Sequence, residues 1–415
     1  MTWEKSRIVD ICDKVALSSL YAIALLFPVS KAAIEVFSTL AILCYIVKKI
    51  TQRKGISVTP LNLAILTYLA ICFISIFISS NPKISTRTFF GKTIQDILFF
   101  FVLVDTLNNE KRLKNFIYIF FFSSAVLGID GIYQNFTRKD FIRHRPTIFV
   151  DRIYATFPTP NDFGCYLNAI IPFLITVFFA RSRAKTARFF LSGLFALLFI
   201  CLILTVSRGA WFGFMASALF IGVWIYPVGI FLLLLGLFII VTQPFYPTLI
   251  KNRLNNFLLV FDITLLGDVG SIERKIFWQA GWKMFMYNPW IGLGLGTFMF
   301  NFKRFVVESY QYGPSYAHNC YLQILSEIGI IGLVSFLAIL VLFFYNGIKT
   351  VIEQQKTFSW YILLASLAAL LGYSVQMAVD TIFYSLDLGL LFWILLGLGA
   401  AAMNNIKLET DTKIG

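Results

Sequence analysis

The chain has 415 residues, of which 58% are hydrophobic and 13% charged, with a formal net charge of +14 and a mean hydropathy of +0.78. An average soluble domain carries less apolar and more charged residue, so the composition excludes a soluble enzyme and defines an integral membrane protein. Nucleic acid is not implied by the positive balance, because much of that charge is topogenic and no nucleic-acid module is recognisable.

Apolar runs long enough to cross about 30 Å of hydrocarbon as helices recur along the chain. Twelve are expected, at approximately 15–29, 32–47, 60–79, 93–108, 116–133, 165–180, 189–206, 210–225, 228–242, 322–345, 359–379 and 382–403. The fold class is therefore all-α, a polytopic membrane protein of about twelve transmembrane helices. Its organisation is nine spans in 1–242, one large loop segment in 243–321, and three spans with a tail in 322–415.

Loop charges test that count. With the N-terminus inside, the inner segments hold Lys5, Arg7 and Lys14, then Lys48, Lys49, Arg53 and Lys54, then Lys111, Arg112 and Lys114. Arg181, Arg183, Lys185 and Arg188 follow, then Lys349 and Lys356, and Lys407 and Lys413 in the tail. This positive-inside pattern needs an odd number of spans before residue 322, which puts 243–321 outside and both termini in the cytoplasm. The first apolar run lacks a small-residue cleavage site and is needed as a span, so no cleavable signal peptide is expected.

The outer loops carry positive charge against that bias. Residues 134–164 contain Arg138, Lys139, Arg143, Arg145 and Arg152, and the preceding outer loop contains Lys83, Arg87 and Lys92. An anionic partner such as a diphosphate, an acidic sugar or a lipid headgroup would explain them, and so would simple solvation near headgroups. Arg143, Arg145 and Arg152 are candidate substrate-binding groups, while His144 reads as a solvated loop residue.

In the 243–321 segment, Ser271 can cap a helix on which Trp278, Trp282 and Phe285 form an apolar face, fit either to lie on the membrane or to cap the bundle. Asn288-Pro289 ends that helix. The glycines at 292, 294 and 296 look like a phosphate cradle only superficially, lacking the strand and helix that such a loop joins, and are expected to be conformational. Four of the six cysteines fall in or beside spans, with Cys12 and Cys320 on opposite sides, so neither a disulfide nor a metal site is expected. The first outer turn, near 28–31, also lacks a carboxylate, and Glu35 just beyond it stands alone, a poor metal site.

Three groups of residues together carry a resemblance. They are Ser207-Arg208-Gly209-Ala210; Glu273-Arg274 with Trp278 and Trp282, running into Asn288-Pro289-Trp290-Ile291-Gly292-Leu293-Gly294; and Ala317-His318-Asn319-Cys320-Tyr321-Leu322-Gln323, followed by Glu327, Gly329 and Gly332. In order and placement, over roughly 155–335, this resembles the O-antigen ligase family, whose relatives include O-antigen polymerases and some protein-glycosylating transferases. Pro160, Asn161 and Gly164 are similar to a Pro-Asn-containing segment of that family.

The resemblance implies a cofactor-free glycan transferase of the inner membrane working at the periplasmic face, with undecaprenyl-diphosphate-linked glycan as donor and a lipid A core sugar as acceptor. Arg208 and Arg274 look like the family's arginines that engage the donor diphosphate, and His318 like its essential histidine. The chemistry agrees: arginines present paired donors to phosphate oxygens, and an imidazole can take a proton near neutral pH. Asn161 and Asp380 are further candidates for substrate binding, Asp380 by orienting an acceptor sugar or His318. Structural readings stand beside these. Arg208 can be an interfacial anchor, Arg274 a partner of a nearby carboxylate such as Glu273 or a hydrated charge on an exposed helix, His318 a cap for the tenth span or a partner of a loop carbonyl, and Asp380 purely structural. A transporter of lipid-linked glycan would show internal repeats and charges near the membrane midplane, and neither is evident.

Overall fold

A computed structural model describes residues 3–149, 151–180, 185–225, 269–306, 310, 313 and 315–414. Among them the secondary structure is helical, without strands. The elements are α1 (Trp3–Leu26), α2 (Lys31–Gln52), α3 (Asn62–Phe77), α4 (Pro82–Thr88), a π-helical turn (Phe89–Thr93), α5 (Ile94–Thr106), α6 (Glu110–Thr137), α7 (Pro160–Ala180), α8 (Lys185–Leu204) and α9 (Arg208–Trp224). After residue 268 come α10 (Val269–Tyr287), α11 (Phe298–Phe305), α12 (Cys320–Glu353), α13 (Phe358–Met377), a 3-10 turn (Ile382–Tyr384) and α14 (Leu386–Ile414).

Each expected span within the described residues coincides with a helix. Among the described residues, six helices are long and apolar enough to cross a membrane: α6, α7, α8, α12, α13 and α14. The expected ninth span, 228–242, lies outside the described residues. Helix starts follow the local chemistry: Ser30, Asn109, Ser207, Asn319 and Thr357 each accept a backbone N–H three residues on, satisfying a donor the helix itself leaves free. Ser271, expected as a cap, instead lies within the first turn of α10, which begins at Val269.

At the centre stand α7, α13 and α14, whose buried residues include Tyr166, Trp360, Tyr373 and Trp393, while α8 turns Phe189 and Phe190 outward. Helices gain little from the hydrophobic effect against lipid, so close packing through small residues does much of the work. A Cβ on Gly213 of α9 would collide with Asn168 of α7 and with the Gly372 carbonyl of α13.

The bundle has two chemically different ends. At one, Lys48 bridges Asp13 (2.5 Å) and Asp105 (2.8 Å), Lys49 pairs with Asp105 (2.6 Å) and Arg112 with Asp13 (2.5 Å). These residues come from the segments that the charge pattern groups on the inner side. At the other end, Arg143 of the 138–159 loop donates to the carbonyls of Val29 (2.6 Å) and Thr156 (2.9 Å). Lys92 there donates to the carbonyls of Phe383 (3.0 Å) and Ser385 (3.2 Å).

The segment after α10 is folded onto this second end by backbone contact. Leu293 and Gly294 N–H groups donate to the carbonyls of Ser326 (3.1 Å) and Glu327 (2.7 Å), and Ile330 donates to Pro289 (2.9 Å). These bonds run along a break in α12, where Gly329 has φ 68° and ψ −172°. Gly292 (φ 69°) faces the Glu327 carbonyl, and Gly329 faces the Trp290 carbonyl, so a side chain at either would strike backbone. Gly294 and Gly296 also have positive φ. The three glycines thus have the conformational role expected of them. The Glu327 carboxylate accepts the N–H groups of Gly296 (2.8 Å) and Phe298 (3.3 Å) at the start of α11.

Candidate active site

Three helix beginnings and one turn bring the candidate residues together at the second end. Arg208 opens α9 behind its Ser207 cap. Preceding it, Val206 is buried at φ 49°, a left-handed conformation that a β-branched residue rarely adopts. The next residue, Gly209, packs directly on the turn after α13: a Cβ there would lie 2.8 Å from Val379 and 3.1 Å from Asp380 Oδ2. Absence of a side chain at 209 is what brings the start of α9 against Asp380.

Asp380 is the hub. Its Oδ1 accepts from Asn161 Nδ2 at 3.0 Å and from Arg274 Nη2 at 3.4 Å, and Gln376 Nε2 lies 3.5 Å from Oδ2. Asn161 in turn accepts from Arg152 Nη2 (2.9 Å), whose Nε donates to the Thr205 carbonyl (2.8 Å). Burial pushes the Asp380 carboxyl up from the ordinary carboxylate range, and Arg274, Gln376, Asn161 and Arg152 oppose that rise. A charged carboxylate that is only 5% exposed is costly unless paired and hydrogen-bonded, and this one is both.

His318 stands between Ala317, whose N–H donates to Gln323 Oε1 (3.3 Å), and Asn319, which caps α12 by accepting the Leu322 N–H (3.0 Å). The cap is therefore Asn319, and the capping alternative for His318 falls away. Its backbone is left-handed (φ 49°) and its ring stacks on Phe277 with centroids 5.7 Å apart. Burial and the nearby Arg274 pull the imidazole down from 6.5 to about 4. Two residues on from His318, Cys320 Sγ donates to the Asp380 carbonyl at 3.0 Å.

Arg274, His318, Asp380, Asn161 and Arg152 therefore form one cluster, with Arg208 one residue from its hub. Arg274 pairs with Asp380 and not with its neighbour Glu273. The oxygens of Asp380 are turned to Asn161, Arg274 and Gln376, so orientation of His318 by this carboxylate is not what the geometry builds. The other two basic candidates are not drawn in. Arg143 staples its loop to Val29 and Thr156, and Arg145 is exposed with its backbone N–H on Asp140. Lys92, expected as an exposed outer charge, is instead a strut beneath the 382–385 turn.

The aromatic face of α10 also differs from expectation. The face that caps the bundle is Phe277, Ala280 and Met284, whereas Trp278 (38% exposed) and Trp282 (54%) point away from it. Of the two readings of that tryptophan face, capping fails. Phe277 and Gln376 were missed from sequence, although each lies one helical turn from a recognised candidate: Phe277 three residues after Arg274, and Gln376 four before Asp380. Among the described residues no group of three His, Cys, Asp or Glu could hold a metal ion.

An all-helical membrane protein with a guanidinium-rich site at one end of its bundle is the class that fold and geometry define. Residues 193–337, about a third of the chain, match the family described as O-Antigen ligase, and that match supports the O-antigen ligase family for this protein. The family is one of glycan transferases of the ligase and polymerase type. No curated protein matches the sequence. Arg208, Arg274 and His318 fall within the matched span, whereas Arg152, Asn161 and Asp380 lie outside it and join the site only through the fold.

Proposed function

We propose that the protein is an inverting, metal-independent glycan transferase that moves a preassembled glycan from undecaprenyl diphosphate to a sugar of the lipid A core at the periplasmic face of the inner membrane. The observation that carries this reading is that Arg274, paired with the buried Asp380 carboxylate, lies close enough to His318 to act on its charge, beside the helix that begins with Arg208. Arg208 and Arg274 engage the donor diphosphate through paired N–H donors and offset the charge that grows on it as the glycosidic C–O bond breaks. The acceptor hydroxyl oxygen attacks the anomeric carbon from the opposite side, and His318 takes the hydroxyl proton. One bond to the anomeric carbon forms as the other breaks, and undecaprenyl diphosphate leaves with the bonding electron pair. Arg152, Asn161 and Asp380 hold Arg274 and the sugar-facing wall in place.

Transfer to another lipid-linked repeat unit, or to a protein, uses the same donor and the same chemistry and differs only in the acceptor. The test is transfer by purified protein in nanodiscs, with undecaprenyl-diphosphate glycan, lipid A core and excess chelator, comparing parent with His318→Ala. Glycosylated core from the parent alone supports the reading. Lengthened lipid-linked glycan without glycosylated core replaces it with a polymerase, and full activity of His318→Ala removes the histidine from the mechanism.

A further inference from the structure

Catalytic histidines are commonly oriented by a hydrogen bond from one ring nitrogen to a carboxylate or carbonyl, which sets the tautomer. His318 has none at Nδ1, which is buried without a hydrogen-bond partner. What lies against the ring is Phe277, with an interplanar angle of 23°. Phe277 is itself fixed, being 3% exposed and meeting Phe302 edge-on (5.6 Å, 67°) and Tyr310 edge-on (5.8 Å, 86°). It sits one turn after Arg274 on α10, so a single helix presents the guanidinium and the ring that supports the imidazole.

We infer that Phe277 is a positioning residue for His318: its ring, stacked on one face of the imidazole, fixes the plane in which the ring nitrogens lie and so aims the base at the acceptor hydroxyl. The inference rests on the reading of His318 as the base. Its physical content is that the imidazole is held by shape and not by charge. A carboxylate at Nδ1 would stabilise imidazolium and keep part of the histidine protonated at rest, whereas here burial and Arg274 hold the imidazole neutral and Phe277 fixes its plane. The charged groups around it fit this arrangement. Arg274 of α10 is the charge that acts on His318. Asp380, from the turn after α13, is turned to Arg274 and Asn161, and Glu327 of α12 to Gly296, Phe298, Gln323 and Tyr384.

The chain has two histidines, so His144→Gln leaves His318 as the single imidazole to observe. Ring-labelled, tag-free His144→Gln protein in nanodiscs is titrated by NMR alone and with Phe277→Leu or Phe277→Tyr, and kcat and KM are measured for each. Phe277→Leu keeps an apolar side chain of similar bulk while removing the stacked ring. The expected result is a His318 titration near 4 in the parent and in Phe277→Leu alike, because burial and Arg274 set it, with kcat down about tenfold or more and KM little changed in Phe277→Leu, and recovery of kcat in Phe277→Tyr. Parental kcat in Phe277→Leu overturns the inference, as does a midpoint moved by about one pH unit or more, which would report lost burial and not lost positioning, or a loss of kcat that Phe277→Tyr fails to restore. His318→Ala is run alongside: activity there brings down the assignment of the base itself, whereas inactivity there with a parental Phe277→Leu brings down only the role of Phe277.

Discussion

Arg274 Nη2 lies 3.4 Å from Asp380 Oδ1 across 106 positions of sequence, joining a helix that follows the ninth expected span to the turn between α13 and α14. Arg274 remains 31% exposed while Asp380 is 5% exposed. The carboxylate is therefore the fixed, buried partner and the guanidinium the one left partly open.

Asp380→Ala should remove the counter-charge that aims Arg274 and should also strand Asn161. Activity is expected to fall by about a hundredfold, equivalent to about 2.7 kcal/mol of transition-state stabilisation, with a smaller fall for Asp380→Asn, which retains an acceptor oxygen for Asn161. Steady-state transfer kinetics on both variants, with insertion checked by size exclusion, decides this. Equal losses would mean that the charge carries the whole effect, and parental activity in Asp380→Asn that the charge does not matter.

Replacement of either arginine separates charge from shape. Lysine keeps the positive charge but not the planar pair of donors that matches phosphate oxygens. Arg208→Lys and Arg274→Lys should each lose about tenfold or more in kcat/KM. Parental kcat/KM in both lysine variants would exclude bidentate recognition of the diphosphate.

The pH dependence has a defined sign. His318 titrates near 4 in the folded free protein and near 6.5 when unfolded, so between those values the unfolded chain holds a proton that the folded one sheds. Its contribution to stability is fully present above 6.5 and is lost progressively as pH falls through that window. The acid limb of kcat/KM, which reports the free enzyme, should likewise lie near 4, and that of kcat should lie higher, because a bound diphosphate offsets the Arg274 charge. Initial rates from about pH 3 to about pH 8 measure both limbs. A kcat/KM limb at the ordinary histidine value would contradict the buried, arginine-flanked setting.

Gly292 and Gly329 make the backbone contact that docks the segment before α11 on the broken helix α12. Gly292→Ala places a side chain at φ 69° against the Glu327 carbonyl, at a cost of about 2 kcal/mol or more. Reduced thermal stability and loss of transfer are expected together, since α10 carries Arg274 and Phe277 into the site through this docking. Thermal unfolding followed by intrinsic fluorescence, set beside transfer activity, checks it.

Much of the architecture was legible in the residues alone. Span length, apolar composition and loop charge act locally or through the membrane, so they read directly from order along the chain: each expected span within the described residues is a helix, and the two ends of the bundle group the loops that the charge alternation grouped. Motif order likewise singled out Arg208, Arg274 and His318. What tertiary structure alone decided was partnership. Arg274 pairs with Asp380 instead of Glu273, Arg143 and Lys92 serve as struts, Asn319 takes the cap, and Phe277 supports the histidine. These outcomes depend on which faces of helices far apart in sequence meet, and on glycines at 209, 292 and 329 that permit backbone to approach backbone or carboxylate. Hydropathy and charge counts specify where a residue lies across the membrane; close packing between helices specifies what it touches.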